Sequence, residues 1–136
     1  MSHERAQANL EIVFDWMNAM RHRDIDAMAE LFDEDVVWVD VAGRVACNGR
    51  DEALSWLRST PIELNQIDAI ELLANDEHVL LGVRNHAREE LAGVQLEDGQ
   101  TFTVFTLHER RIVRLRGHVH RDEAFEDAGL NGFRWR

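Results

Sequence analysis

The 136-residue chain has no lysine and no tyrosine, and only one cysteine and one proline. Each scarcity removes a class of chemistry. All fifteen basic residues are arginine, so no Schiff base can form on a carbonyl substrate. No phenol is available as an acid or as an oxyanion donor. Cys47 has no second thiol to pair with; in a short apolar segment, with no accompanying His motif, it reads as a buried structural cysteine. No apolar run approaches the ~20 residues of a membrane span. The opening MSHERAQANLE is too polar for a signal or transit peptide. Glycine-rich phosphate loops, zinc-ligand spacing and a nucleophile elbow are all missing. Neither a linker nor a repeat divides the sequence. The expectation is one cytoplasmic domain over residues 1–136, free of cofactors and metal, with no membrane partner.

What is present in excess is negative charge, a net −11. Nucleic acid needs a basic surface, so it is not an expected partner. One basic stretch stands out, RRIVRLRGHVHR at 110–121, with five arginines and two histidines. On a strand its alternation makes most of that charge one solvated or interface face. His118 and His120 share that face, but arginine neighbours would repel a metal ion.

Apolar spacing at Leu10, Val13, Phe14, Met17 and Met20 predicts a helix over 6–22. Asp24 reads as the N-cap of a second helix ending near Phe32, and residues 49–59 read as a third, stopped before Pro61. Strands follow at 66–74 and 78–89, joined at NDE, and at 101–109 and 112–120. DEAFEDAGL predicts a short helix ending at Gly129. Helices followed by a meander of long strands give an α+β fold with helices packed on a sheet.

The stretch VVWVDVA, residues 36–42, raises the functional question. Alternation makes both strand faces apolar except at Asp40, and a buried unpaired carboxylate is costly. Asp40 is therefore either a pocket group or a structural carboxylate that caps a loop or pairs with Arg44 or Arg50. On the next strands, Asn85 lies in phase with Val79, Leu81, Val83 and Ala87, so it either finds a backbone partner or faces a cavity. His78, Arg84, His86 and Arg88 belong to the opposite, outer side.

The element order, with LFDEDVVWVDVAG, NGRDEAL and RRIVRLRGHVHRDEAFEDAGL, resembles the nuclear transport factor 2-like superfamily. That superfamily includes SnoaL-like polyketide cyclases, ketosteroid isomerases and limonene epoxide hydrolases. The resemblance implies a strongly curved, mostly antiparallel sheet wrapped as a cone around the N-terminal helices. It also implies an apolar pocket at the open end, and a homodimer through the outer sheet face. Asp40 matches the isomerase's catalytic base, a carboxylate whose pKa rises when desolvated. Trp16 stands where the isomerase has its oxyanion-binding tyrosine, and Thr103 falls near the partner acid, so a two-donor oxyanion hole is not carried over. The epoxide hydrolase aspartate on the last strand falls at Gly117, and its Arg-x-Asp pair near Arg84-Asn85-His86. His120 takes the place of the acidic residue that often closes the last strand in SnoaL-like relatives, where it suits general acid–base work. The implied ligand is small and largely apolar, lined by Trp16, Trp38, Trp56, Asn85, Thr103 and Leu115. Asp40 would be the base in cofactor-free isomerisation, cyclisation or hydration, helped by Asn85 or His120. The alternative is a non-catalytic ligand-binding or dimerisation module.

Overall fold

A computed structural model describes residues 2–59 and 67–130. Helix α1 (Ser2–His22) buries Ile12, Val13, Trp16, Ala19 and Met20, together with the polar Asn9. This stripe is rotated from the one the apolar spacing suggested, because Phe14 is 55% exposed. Asn9 explains part of the rotation: its Nδ2 donates to the carbonyls of Asn75 and Asp76, each at 3.0 Å. That bond fixes the helix to a strand turn, which hydrophobic periodicity does not encode.

Helix α2 (Ile25–Leu31) begins at the expected cap, with Asp24 accepting from the Ala27 N–H at 3.1 Å. Phe32 is not helical; it opens strand β1 (Phe32–Val39). The chain leaves the strand at Asp40, before the residue expected to end it. β2 is Val45–Asn48 and α3 is Arg50–Ser59; Pro61 lies outside the described residues. Strands β3 (Ala69–Ala74) and β4 (His78–Arg84) form the expected hairpin, and the expected first residue of β3, Gln66, lies outside the described residues. β4 stops at Arg84, short of the expected 89. A small separate hairpin, β5 (Glu90–Leu91) and β6 (Val94–Gln95), follows it. β7 (Gln100–His108), β8 (Arg111–His118) and α4 (Arg121–Asp127) complete the order.

The main sheet runs β2-β1-β8-β7-β4-β3. Only β1 beside β8 is parallel; every other neighbouring pair is antiparallel. The sheet is open rather than closed, in an α+β arrangement. Its inner face carries Leu81, Phe105 and Leu115 against the first three helices. Its outer face carries Leu80, Phe102 and Val104, which α4 covers with Ala124, Phe125 and Ala128. The sequence reserved that outer face for solvent or a second copy, whereas over β4 and β7 the chain's own last helix occupies it. A helix that short has apolar residues enough to need a cover, but its sequence does not name the sheet face it takes.

Candidate ligand site

The inner side carries two groups of side chains, an aromatic cluster and the turn after β1. In the cluster, the Trp16 ring from α1 meets Phe105 edge-on at 5.1 Å and Trp38 at 6.2 Å. Trp38 in turn meets Trp56 of α3 at 5.0 Å and Phe32 at 6.5 Å. These are the tilted geometries that ring quadrupoles favour. Trp16 is 8% exposed, and its Nε1 is buried without a hydrogen-bond partner. Trp56 is 37% exposed and forms the open edge of the cluster. Leu115, paired with Trp38 and Phe105 across the sheet, is fully buried and is core. Thr103 is half-buried on the same face, between Leu81 and Gly117.

Asp40 sits in the turn. Its Oδ1 accepts from the backbone N–H of Ala42 at 2.9 Å and of Arg44 at 3.0 Å. The Asp40 N–H donates to the Arg44 carbonyl, and its own carbonyl accepts from Gly43. Gly43 has φ +82°, which closes the turn at no steric cost. Oδ2 is left with only the Arg44 Nε at 3.9 Å, too long for a hydrogen bond. So the carboxylate inside the apolar run ties a loop, and its side chain is 28% exposed.

That loop explains the missing side chain at Gly117. A Cβ there would lie 2.8 Å from Val41 Cγ1 and 3.2 Å from the Val41 nitrogen. The space that a side chain at position 117 would take is filled by Val41. The signal was present in the sequence as Asp40 three residues before Gly43, a turn signature hidden by the valines around it.

Asn85 is buried, and its Oδ1 accepts from the Ala87 N–H at 3.0 Å. Its backbone also closes the bend, with N–H to the Gly99 carbonyl and carbonyl to the Arg88 N–H. The backbone partner weighed for it is therefore found. His120 is exposed at the start of α4, with Nδ1 3.8 Å from Glu97. His118 points to the outer face and is 7% exposed, its Nε2 2.8 Å from Asp127 Oδ2. The two histidines thus part company where the strand turns into α4. Among the described residues no three His, Cys, Asp or Glu side chains are grouped to hold a metal ion.

Cys47 is buried; burial, and after it the charge of Glu52, push its thiol up, away from thiolate reactivity. Sequence reading did not foresee Asn75 or Asp127. Asn75 Oδ1 caps the Glu77 and His78 N–H groups, and its Nδ2 donates to the Ala128 carbonyl at 2.7 Å. Asp127 joins His118 and Arg114. No described helix is long and apolar enough to cross a membrane.

The model of the SnoaL-like domain matches residues 13–115. No functionally curated protein matches the chain significantly. Among solved structures, it is similar to a candidate polyketide cyclase from Xanthomonas campestris pv. campestris, at 21% identity and TM-score 0.62, covering 88% of this chain and 95% of that one. A candidate ketosteroid isomerase from Kribbella flavida is similar at 14% identity and TM-score 0.64, covering 85% and 80%. An epoxide hydrolase of the limonene epoxide hydrolase type from M. tuberculosis is similar at 18% identity and TM-score 0.62, covering 90% of each chain. At these identities the likeness is one of fold, and fold alone does not carry activity. The family match covers most of the chain, and on that ground the chain belongs to the SnoaL-like domain family.

Proposed function

We propose that the chain binds a small, largely apolar, ring-containing molecule on the inner side of its sheet, anchored by the Trp16 indole N–H. The carrying observation is that this donor is buried among aromatic rings with no protein acceptor. A buried donor left unmet costs about 1–3 kcal/mol, and a ligand carbonyl or ether oxygen would recover that. Trp38 and Trp56 supply the apolar wall, and Thr103 and Asn85 the polar margin. The relatives' names, which involve ring-bearing substrates with oxygen functions, support this by analogy only.

The test uses 1-tetralone and its hydrocarbon counterpart tetralin, read by quenching of tryptophan fluorescence. The wild type should prefer the ketone, by roughly tenfold for 1.4 kcal/mol of hydrogen bonding. Trp16→Phe keeps the ring, removes the N–H and leaves three other tryptophans as reporters; it should erase the preference. A preference that survives the substitution sinks the anchor. Failure of both probes to bind sinks the ligand site.

A second reading, cofactor-free proton transfer, is favoured by the unoccupied Oδ2 of Asp40. Asp40 would be the base and His120 the proton-exchanging group at the rim. Deuterium exchange at the carbon next to the tetralone carbonyl, followed by NMR, decides it. Asp40→Asn preserves an oxygen for the turn but not the basicity, so equal exchange in both proteins would leave only the binding module. A homodimer would use the part of the outer face around Val37 of β1, because α4 reaches over β7 to Arg114 and His118 of β8.

A further inference from the structure

The outer face holds a cavity, separate from the inner site and independent of its proposed role. It has a volume of about 290 Å³ and lies over the ends of β3, β4 and β7, against the first residue of α4. Its floor is apolar: the Phe102 ring beside Gly82, paired with it across β4 and β7. A Cβ at Gly82 would sit 2.9 Å from Glu71 Cγ and 3.2 Å from the Phe102 ring, so those side chains would have to shift to admit it.

The polar lining divides into a satisfied half and an open half. Arg121 and Glu71 form a bidentate pair, with Nη2 to Oε2 at 3.1 Å and Nη1 to Oε1 in closer contact. The Arg121 guanidinium also lies 4.5 Å over the Phe125 ring. That pair is neutral as a unit and fixed from both sides. Arg84 and Gln100 are cross-strand neighbours on the same outer face. The Arg84 Nε is buried with no hydrogen-bond acceptor. Asp68, whose carboxylate feels the Arg84 charge, is already taken by His86, through the backbone N–H at 2.8 Å and through Nδ1 at 2.7 Å. The cavity therefore presents one uncommitted guanidinium, one uncommitted amide and a flat aromatic floor.

We propose that this outer cavity is a binding site for a small monocarboxylate with a flat apolar body, its carboxylate held by Arg84 and Gln100 and its body over Phe102 and Gly82. The planar fork of a guanidinium matches a carboxylate in two parallel hydrogen bonds. A single net positive charge in the lining selects a monoanion, and the protein's overall −11 disfavours more highly charged ligands at a distance. The volume accommodates a molecule of benzoate size with room to spare.

The experiment is a titration of the ¹⁵N-labelled full chain with benzoate, with benzamide and inorganic phosphate in parallel. Benzoate should give saturable shifts at the amides of Gly82, Arg84 and Gln100 and leave the Trp16 indole resonance in place. Benzamide lacks the charge and phosphate lacks the apolar body; both should bind at least tenfold more weakly. Arg84→Gln should weaken benzoate at least tenfold, with Arg84→Lys between the two, because an ammonium keeps charge without the fork. Should Arg84→Gln fail to fold, Gln100→Ala, on the same lining, should still weaken benzoate. The proposal is overturned by absence of saturable shifts, by benzoate affinity indifferent to both positions, or by benzamide or phosphate binding as well as benzoate.

Discussion

Asp40 and Gly117 show how two residues, far apart in sequence, depend on each other. The carboxylate ties the turn that presses Val41 against β8, and the glycine provides the room. Gly117→Ala puts a Cβ at 2.8 Å from Val41 Cγ1 and 3.2 Å from backbone, an overpacking that the turn cannot absorb by a side-chain rotation alone. We expect a loss of about 1–3 kcal/mol in urea unfolding. Asp40→Ala should cost less, about 0.5–1.5 kcal/mol, because its N–H partners are solvent-accessible. An alanine at 117 that is as stable as wild type would mean that the turn stands clear of β8. Position 117 was legible as a missing functional group. What fills it was not, since that depends on where a turn much earlier in the chain, after β1, comes to rest.

At the scale of elements, α4 is held to the sheet by more than its apolar face. Asp127 accepts from Arg114 Nη1 at 3.2 Å and meets His118 Nε2 at 2.8 Å, while Arg121 at the other end grips Glu71. Burial raises the Asp127 carboxyl, but the hydrogen bond from His118 and the charge and hydrogen bond of Arg114 together outweigh it, so its pKa lies below the ordinary value. A carboxyl with a lowered folded pKa stabilises the fold above its unfolded pKa, about 3.9, and that stabilisation fades as pH falls through the folded value. Asp127→Asn should therefore cost about 1–3 kcal/mol near pH 5. The gap to wild type should narrow steadily below pH 4 in urea unfolding. A gap independent of pH would show that the carboxylate's charge is irrelevant to the clamp. The arginine-rich face of β8 was legible from alternation, and the helix from its composition. Their union was not, because nothing local links Arg114 and His118 to a carboxylate that the chain reaches only after reversing direction.

For the whole molecule, the question is which electrostatic effect wins. Twenty-six acidic residues face fifteen arginines, and the described Arg–carboxylate pairs within 4 Å are few: Arg44 with Asp40, Arg114 with Asp127 and Arg121 with Glu71. The most exposed of them, Arg44 with Asp40, contributes about 0–1 kcal/mol. The uncompensated charge acts on the whole compact state and destabilises it through self-repulsion. Salt weakens both, but the repulsion is the longer-ranged, so screening should help on balance. Between 0.1 and 1 M NaCl the screening length falls from about 10 Å to about 3 Å, and the thermal midpoint should rise. Chloride is the right anion, since sulfate would stabilise by exclusion from the surface. A second copy brings a further −11 to any interface, so light scattering over the same range should show pairing strengthened by salt. A midpoint that falls instead would mean that the clamps at the two ends of α4 outweigh the repulsion. The outer face would then be held by charge more than by the apolar contacts of Phe102, Val104 and Phe125.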